Sequence, residues 1–98
     1  MKTSKDNMTE YLEKFQMYQR MLQGVAHVHV QSTVINFEVS SHDLNIFPLD
    51  EKSDFIRTKD GDATVKIFSV AAYYDKEEND KVMKEADKYV KSLKPVAA

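Results

Sequence analysis

From Val65 to Tyr74 both alternating sets of side chains are apolar. Val65, Ile67, Ala71 and Tyr73 fall on one side of an extended chain, and Phe68, Val70, Ala72 and Tyr74 on the other. A strand that is apolar on both sides needs cover on both, as a central strand between two layers has. Lys66 and Asp75 bracket the strongest stretch, Ile67 to Tyr74, which is far too short to span a bilayer as a helix. The chain must therefore cover this strand twice. Either two helices lie on opposite faces, or a second subunit covers one of them.

The sequence offers two helices. Asn7-Met8-Thr9-Glu10 has the pattern of a capping box. Behind it Met8, Tyr11, Leu12, Phe15, Tyr18 and Leu22 fall on one stripe at 100° per residue. Gly24 supplies a left-handed stop, so a helix is expected over 8–23. Met17 and Met21 lie off the stripe, and flexible methionine side chains off a core face suit an adaptable contact surface. The second helix opens on another capping box, Asp75-Lys76-Glu77-Glu78, and buries Val82, Met83, Ala86, Tyr89, Val90 and Leu93 before Pro95 ends it. Lys81, Lys84, Lys88 and Lys91 form a ridge on its far side. The spacings Glu77–Lys81, Asp80–Lys84 and Asp87–Lys91 make this a solvated face of i,i+4 pairs.

Between the helices the residue types are those of strands. Val25–Val39 is rich in β-branched residues without Gly or Pro. Its alternation changes phase: Val28 and Val30 share one parity, and Ile35, Phe37 and Val39 the other. A β-bulge at Gln31-Ser32-Thr33 would bring all five to one core face and leave His27, His29, Asn36 and Glu38 opposite. A turn at 31–33 is the alternative, but a simple hairpin would set His27 and His29 beside Phe37 and Ile35, so the bulged strand is preferred. Ser40 to Asp43 reads as a turn and Leu44 to Phe47 as a short strand limited by Pro48. Phe55–Lys59, Asp60-Gly61 and Asp62–Tyr74 read as a hairpin on a type I′ turn. The expected fold is α+β: an N-terminal helix, a four-stranded antiparallel meander with a bulged long strand, and a C-terminal helix (αββββα). Residues 1–98 form a single domain in this reading, with 1–6 a disordered tail and 95–98 a frayed end.

Charge and composition narrow the function. With 14 Lys and Arg against 16 Asp and Glu the net charge is -2, which argues against nucleic-acid binding through clustered cations. There are no cysteines, so disulfides, thiolate metal sites and a cysteine nucleophile are excluded. The start of the chain lacks the apolar segment of a secretory signal, and a cytoplasmic protein without membrane association is expected. Only Gly24 and Gly61 are present, too few for a phosphate-binding loop.

Two motifs could carry chemistry. In His27-Val28-His29 the imidazoles share one face of a strand and could hold one metal ion, with Glu38, Asn36 or His42 as third ligand. Ser40-Ser41-His42-Asp43 has the residue types of a hydrolase triad. Neighbours in a turn do not converge as a triad must, however, and no nucleophile elbow is present. The reading favoured is a small non-enzymatic interaction module without cofactor: a regulator, adaptor or inhibitor of a larger protein that forms a homodimer. Its contacts are expected at Met17, Met21, Tyr73 and Tyr74, since tyrosines combine an apolar ring with a polar tip. The alternative is a metal-binding or metal-assisted hydrolytic domain built on His27, His29 and Glu38.

Overall fold

The computed structural model describes residues 7–93. Its elements run α1 (Met8–Met21), β1 (Ala26–Ile35), β2 (Glu38–Pro48), β3 (Lys66–Ala71) and α2 (Lys76–Ser92). The expected tail 1–6, Pro95 and the expected frayed end 95–98 lie outside the described residues.

Both helices form where their apolar periods place them. Met8, Tyr11, Phe15 and Tyr18 of α1 are buried, as is Leu22 just beyond it, and α2 buries Met83, Ala86 and Val90. Neither capping box closes: Asn7 and Asp75 make no side-chain cap hydrogen bond. Tyr11 Oη donates to Asp80 Oδ1 and Tyr18 Oη to Asp87 Oδ1, each at 3.2 Å and each across 69 positions of sequence. Equal offsets on both helices mean that α1 and α2 run in the same direction, joined by two rungs seven residues apart.

The sheet is antiparallel in the order β1-β2-β3. Its helix-side face carries Ala26, Val28, Leu44, Ile46, Phe68 and Val70, all buried in one core with both helices. Fully burying a side chain such as Phe15, Leu44 or Ile46 is worth roughly 2 kcal/mol. The two helices therefore cover the same face. Among the described residues the double cover expected for Val65–Tyr74 is absent: Val65, Ile67 and Tyr73 are exposed while Phe68 and Val70 are buried.

The long bulged strand is replaced by a hairpin. The chain turns at Asn36 (φ 52) and Phe37 (φ 65), and Glu38 and Val39 belong to β2. Two successive positive φ angles are the signature of a two-residue type I′ turn. Gln31, Ser32 and Thr33 pair in unbroken register with Asp43, His42 and Ser41, so no bulge lies there. The register shifts one step later, between Thr33 and Val34, where Ser40 is the extra residue on β2. Ser40–Asp43 is thus strand rather than turn. Ile35, Phe37 and Val39, expected in the core, are exposed because the hairpin runs past the helices.

The fourth strand also fails to form. Residues 49–65 make only the isolated bridges Leu49–Phe55 and Arg57–Ala63. The Asp60-Gly61 turn exists in another geometry: only Gly61 has positive φ, its N–H bonds Thr58 O at 3.0 Å, and Thr58 N–H bonds Asp62 O at 2.8 Å. This is a three-residue hairpin loop with glycine at the left-handed position.

Candidate interaction surface

The face of the sheet turned away from the helices is built by strand alternation. Its rows are His27 with Phe47, His29 with Asn45 and Ile67, and Gln31 with Asp43 and Ser69. Ser69 Oγ donates to Asp43 Oδ1 at 2.5 Å, and Asn45 Nδ2 donates to the His29 carbonyl at 3.4 Å. Phe55 reaches this face from the loop after β2. Asp50 Oδ1 fixes that loop by accepting from the N–H groups of Lys52 at 2.8 Å and Asp54 at 3.0 Å. The rings of His27, Phe47 and Phe55 then meet mutually, with centroids 5.9–6.0 Å apart in tilted and edge-on contacts. A shallow groove of about 480 Å³ lies along His27, His29, Gln31, Asn45, Phe47 and Phe55.

The β1–β2 hairpin continues this surface. Val34 is 59% exposed, Ile35 56% and Phe37 103%, so nothing among the described residues covers the tip. Ala72 N–H bonds Ser40 O at 2.8 Å, which sets the turn carrying Tyr73 and Tyr74 beside the hairpin base. These two rings pack edge to face, 4.8 Å apart, and both are exposed.

Chain comparisons assign no relative. Neither a protein-family model, nor a curated protein, nor a solved structure matches this chain.

The structure separates the sequence-derived candidates into groups. Met17 is exposed on α1, whereas Met21 is partly buried against the core. No described contact joins either to Tyr73 or Tyr74. His27 and His29 do share a face, but Glu38 stands opposite Ile35 beside the turn. At about 3.3 Å per residue along β2, that is roughly 20 Å from the row of His29. Asn36 is in the turn itself, and His42 is buried on the helix-side face. Among the described residues no group of three His, Cys, Asp or Glu side chains could hold a metal ion. Ser40, Ser41, His42 and Asp43 follow one another along β2, where alternation sends His42 and Asp43 to opposite faces.

His42 has a structural role. Its Nδ1 lies 2.6 Å from Ser32 Oγ, its cross-strand partner. Burial lowers its pKa from the ordinary histidine value, against the opposing effects of a hydrogen bond with the Met8 backbone and the charge of Asp43.

A second depression, about 560 Å³, follows the seam between the helices. Tyr11, Lys76 and Asp80 bond to one another along it, as do Tyr18 and Asp87. Lys76 pairs with Asp80 at 2.6 Å and Lys91 with Asp87 at 2.8 Å, and each lysine holds its carboxylate partner below the usual range. Of the expected i,i+4 pairs Asp87–Lys91 forms, while Asp80 turns to Lys76. Burial, and then the charge of Asp87, push the Tyr18 hydroxyl up to about 12, so it remains a donor throughout the physiological range.

Phe37, Phe47 and Phe55 were not among the contact residues expected from sequence. The one signal for the hairpin is Asn36, the residue between Val25 and Val39 that best tolerates left-handed backbone.

Proposed function

We propose that this chain is a non-enzymatic protein-interaction module that associates with itself, using the uncovered sheet face and the β1–β2 hairpin. The observation that carries this reading is Phe37. Its ring is fully exposed, and its backbone holds a left-handed conformation unfavourable for a bulky side chain. Solvation and local geometry both disfavour phenylalanine at that position, and docking against another protein surface would offset both. Val34, Ile35, Val39 and the Tyr73–Tyr74 pair surround it as further exposed apolar surface. Among the described residues no helix is long and apolar enough to cross a membrane. A cytoplasmic setting fits a chain without cysteine. A regulator, adaptor or inhibitor of a larger protein would use such a surface in the same way.

Sedimentation velocity from micromolar to millimolar concentration tests the reading, run on the natural chain and on Phe37→Gly. The natural chain should shift from monomer to dimer. Phe37→Gly should remain folded, because glycine suits the positive φ, and should dimerise more weakly. A natural chain that stays monomeric throughout overturns self-association. A dimer insensitive to Phe37→Gly removes the hairpin tip from the contact.

A further inference from the structure

The two edges of the sheet are finished differently. Leu49 N–H bonds Val25 O, so in the antiparallel ladder the odd-numbered residues of β1 exchange their bonds with β2. The even-numbered residues Val28, Val30, Ser32 and Val34 direct their backbone N–H and C=O groups outward. Of these, the Val28 carbonyl accepts from Gln19 Nε2 at 3.0 Å. Among the described residues nothing takes the outward groups of Val30, Ser32 and Val34. The other edge, β3, has six residues and begins on Lys66. Its last outward pair is closed by the buried Asn79, whose Nδ2 donates to Ala71 O at 2.8 Å and whose Oδ1 accepts from Ala71 N–H at 3.2 Å.

We infer that the outer edge of β1 pairs antiparallel with the same edge of a second copy, joining two sheets into one of six strands. This inference rests on the self-association reading and names its surface. An exposed edge is ordinarily blunted by lysine, proline, a bulge or shortness. β1 has ten residues, Ala-His-Val-His-Val-Gln-Ser-Thr-Val-Ile, with no Asp, Glu, Lys or Arg and no proline among them. The register irregularity next to it is accommodated by Ser40 on β2, so the β1 edge is not bulged.

The absence of charge is what selects a second copy. Two-fold pairing lays a strand against its own reverse, so any charged residue near the axis would meet a like charge. In a chain that is 31% Asp, Glu, Lys and Arg, β1 has none of these to repel. The flank of α1 above this edge shares the property: Gln19 faces it, and helical spacing puts Leu12 and Gln16 on the same side. The register that uses the outward groups of Val30, Ser32 and Val34 sets Val30 opposite Ser32 of the second copy and Val28, whose carbonyl Gln19 already engages, opposite Val34 of the second copy. It also brings the exposed Val34 side chain beside a valine on the helix-side face. Each dimer then ends on two β3 edges that are short, begin on Lys66 and are closed by Asn79 at Ala71, which disfavours further strand addition there.

Amide hydrogen exchange on the full chain at monomer-dominated and dimer-dominated concentrations tests this. The amides of Val30, Ser32 and Val34 should slow by about tenfold or more in the dimer. Those of His29, Gln31 and Thr33, already bonded to β2, should be protected in both. Ser32→Pro removes the outward N–H together with the hydroxyl that bonds His42 and should give a folded monomer; Ser32→Ala, which loses the hydroxyl alone, is the control that keeps the dimer. A dimer whose outward amides exchange as in the monomer overturns edge pairing and leaves self-association standing. A chain that never dimerises overturns both. Should Ser32→Pro fail to fold, the exchange measurement decides alone.

Discussion

His42 shows how one side chain can tie stability to pH. Its folded-state pKa is lowered by burial, so the native state favours the neutral ring. The unfolded chain takes up the proton first as pH falls, at about 6.5. The stabilisation is therefore complete above that value and is lost as pH falls through the lower folded pKa. Thermal unfolding should show a midpoint that drops as pH falls below about 6.5. His42→Gln, which keeps a polar partner for Ser32, should flatten that part of the profile. A natural profile already flat there would show that His42 is equally easy to protonate in both states.

At the scale of elements, Asn79 is the joint between α2 and β3. It is fully buried, and its amide satisfies both backbone groups of Ala71. Asn79→Ala leaves a donor and an acceptor buried without partners, at about 2–4 kcal/mol. Chemical denaturation should show that loss, and Asn79→Asp should not recover it, since a carboxylate cannot donate to the Ala71 carbonyl. Helix positions were legible in the sequence because each apolar stripe repeats over several turns, from Met8 to Leu22 and from Val82 to Leu93. The hairpin was not, for a physical reason. Apolar residues at Ile35, Phe37 and Val39 read as core, and the turn between them lacks the glycine that usually marks positive φ. The cluster of His27, Phe47 and Phe55 depends on the loop that Asp50 folds back, a contact that strand alternation cannot reveal. The sequence did place His27 and His29 opposite the core, but it could not show that Glu38 stands far down the hairpin.

For the molecule as a whole, the main fact is that both helices share one side of the sheet. The requirement of two-sided cover read from Val65–Tyr74 was sound as physics, but the described residues do not meet it. If a second copy associates, at that face or at the β1 edge, thermal stability should rise with protein concentration by mass action, and a midpoint constant across a hundredfold dilution would argue against it. Within one chain, the helices are joined by the rungs Tyr11–Asp80 and Tyr18–Asp87. Tyr18→Phe should cost about 1 kcal/mol in denaturant unfolding, a value kept small because Asp87 is partly open to water. Because the two helices run in the same direction, a pull on Asn7 at the head of α1 and on Leu93 at the foot of α2 acts along their axes in opposite senses. The seam is then loaded in shear, with both rungs and the core stripe resisting together instead of peeling apart singly. Stretched from its two ends, the chain should yield in one abrupt rupture.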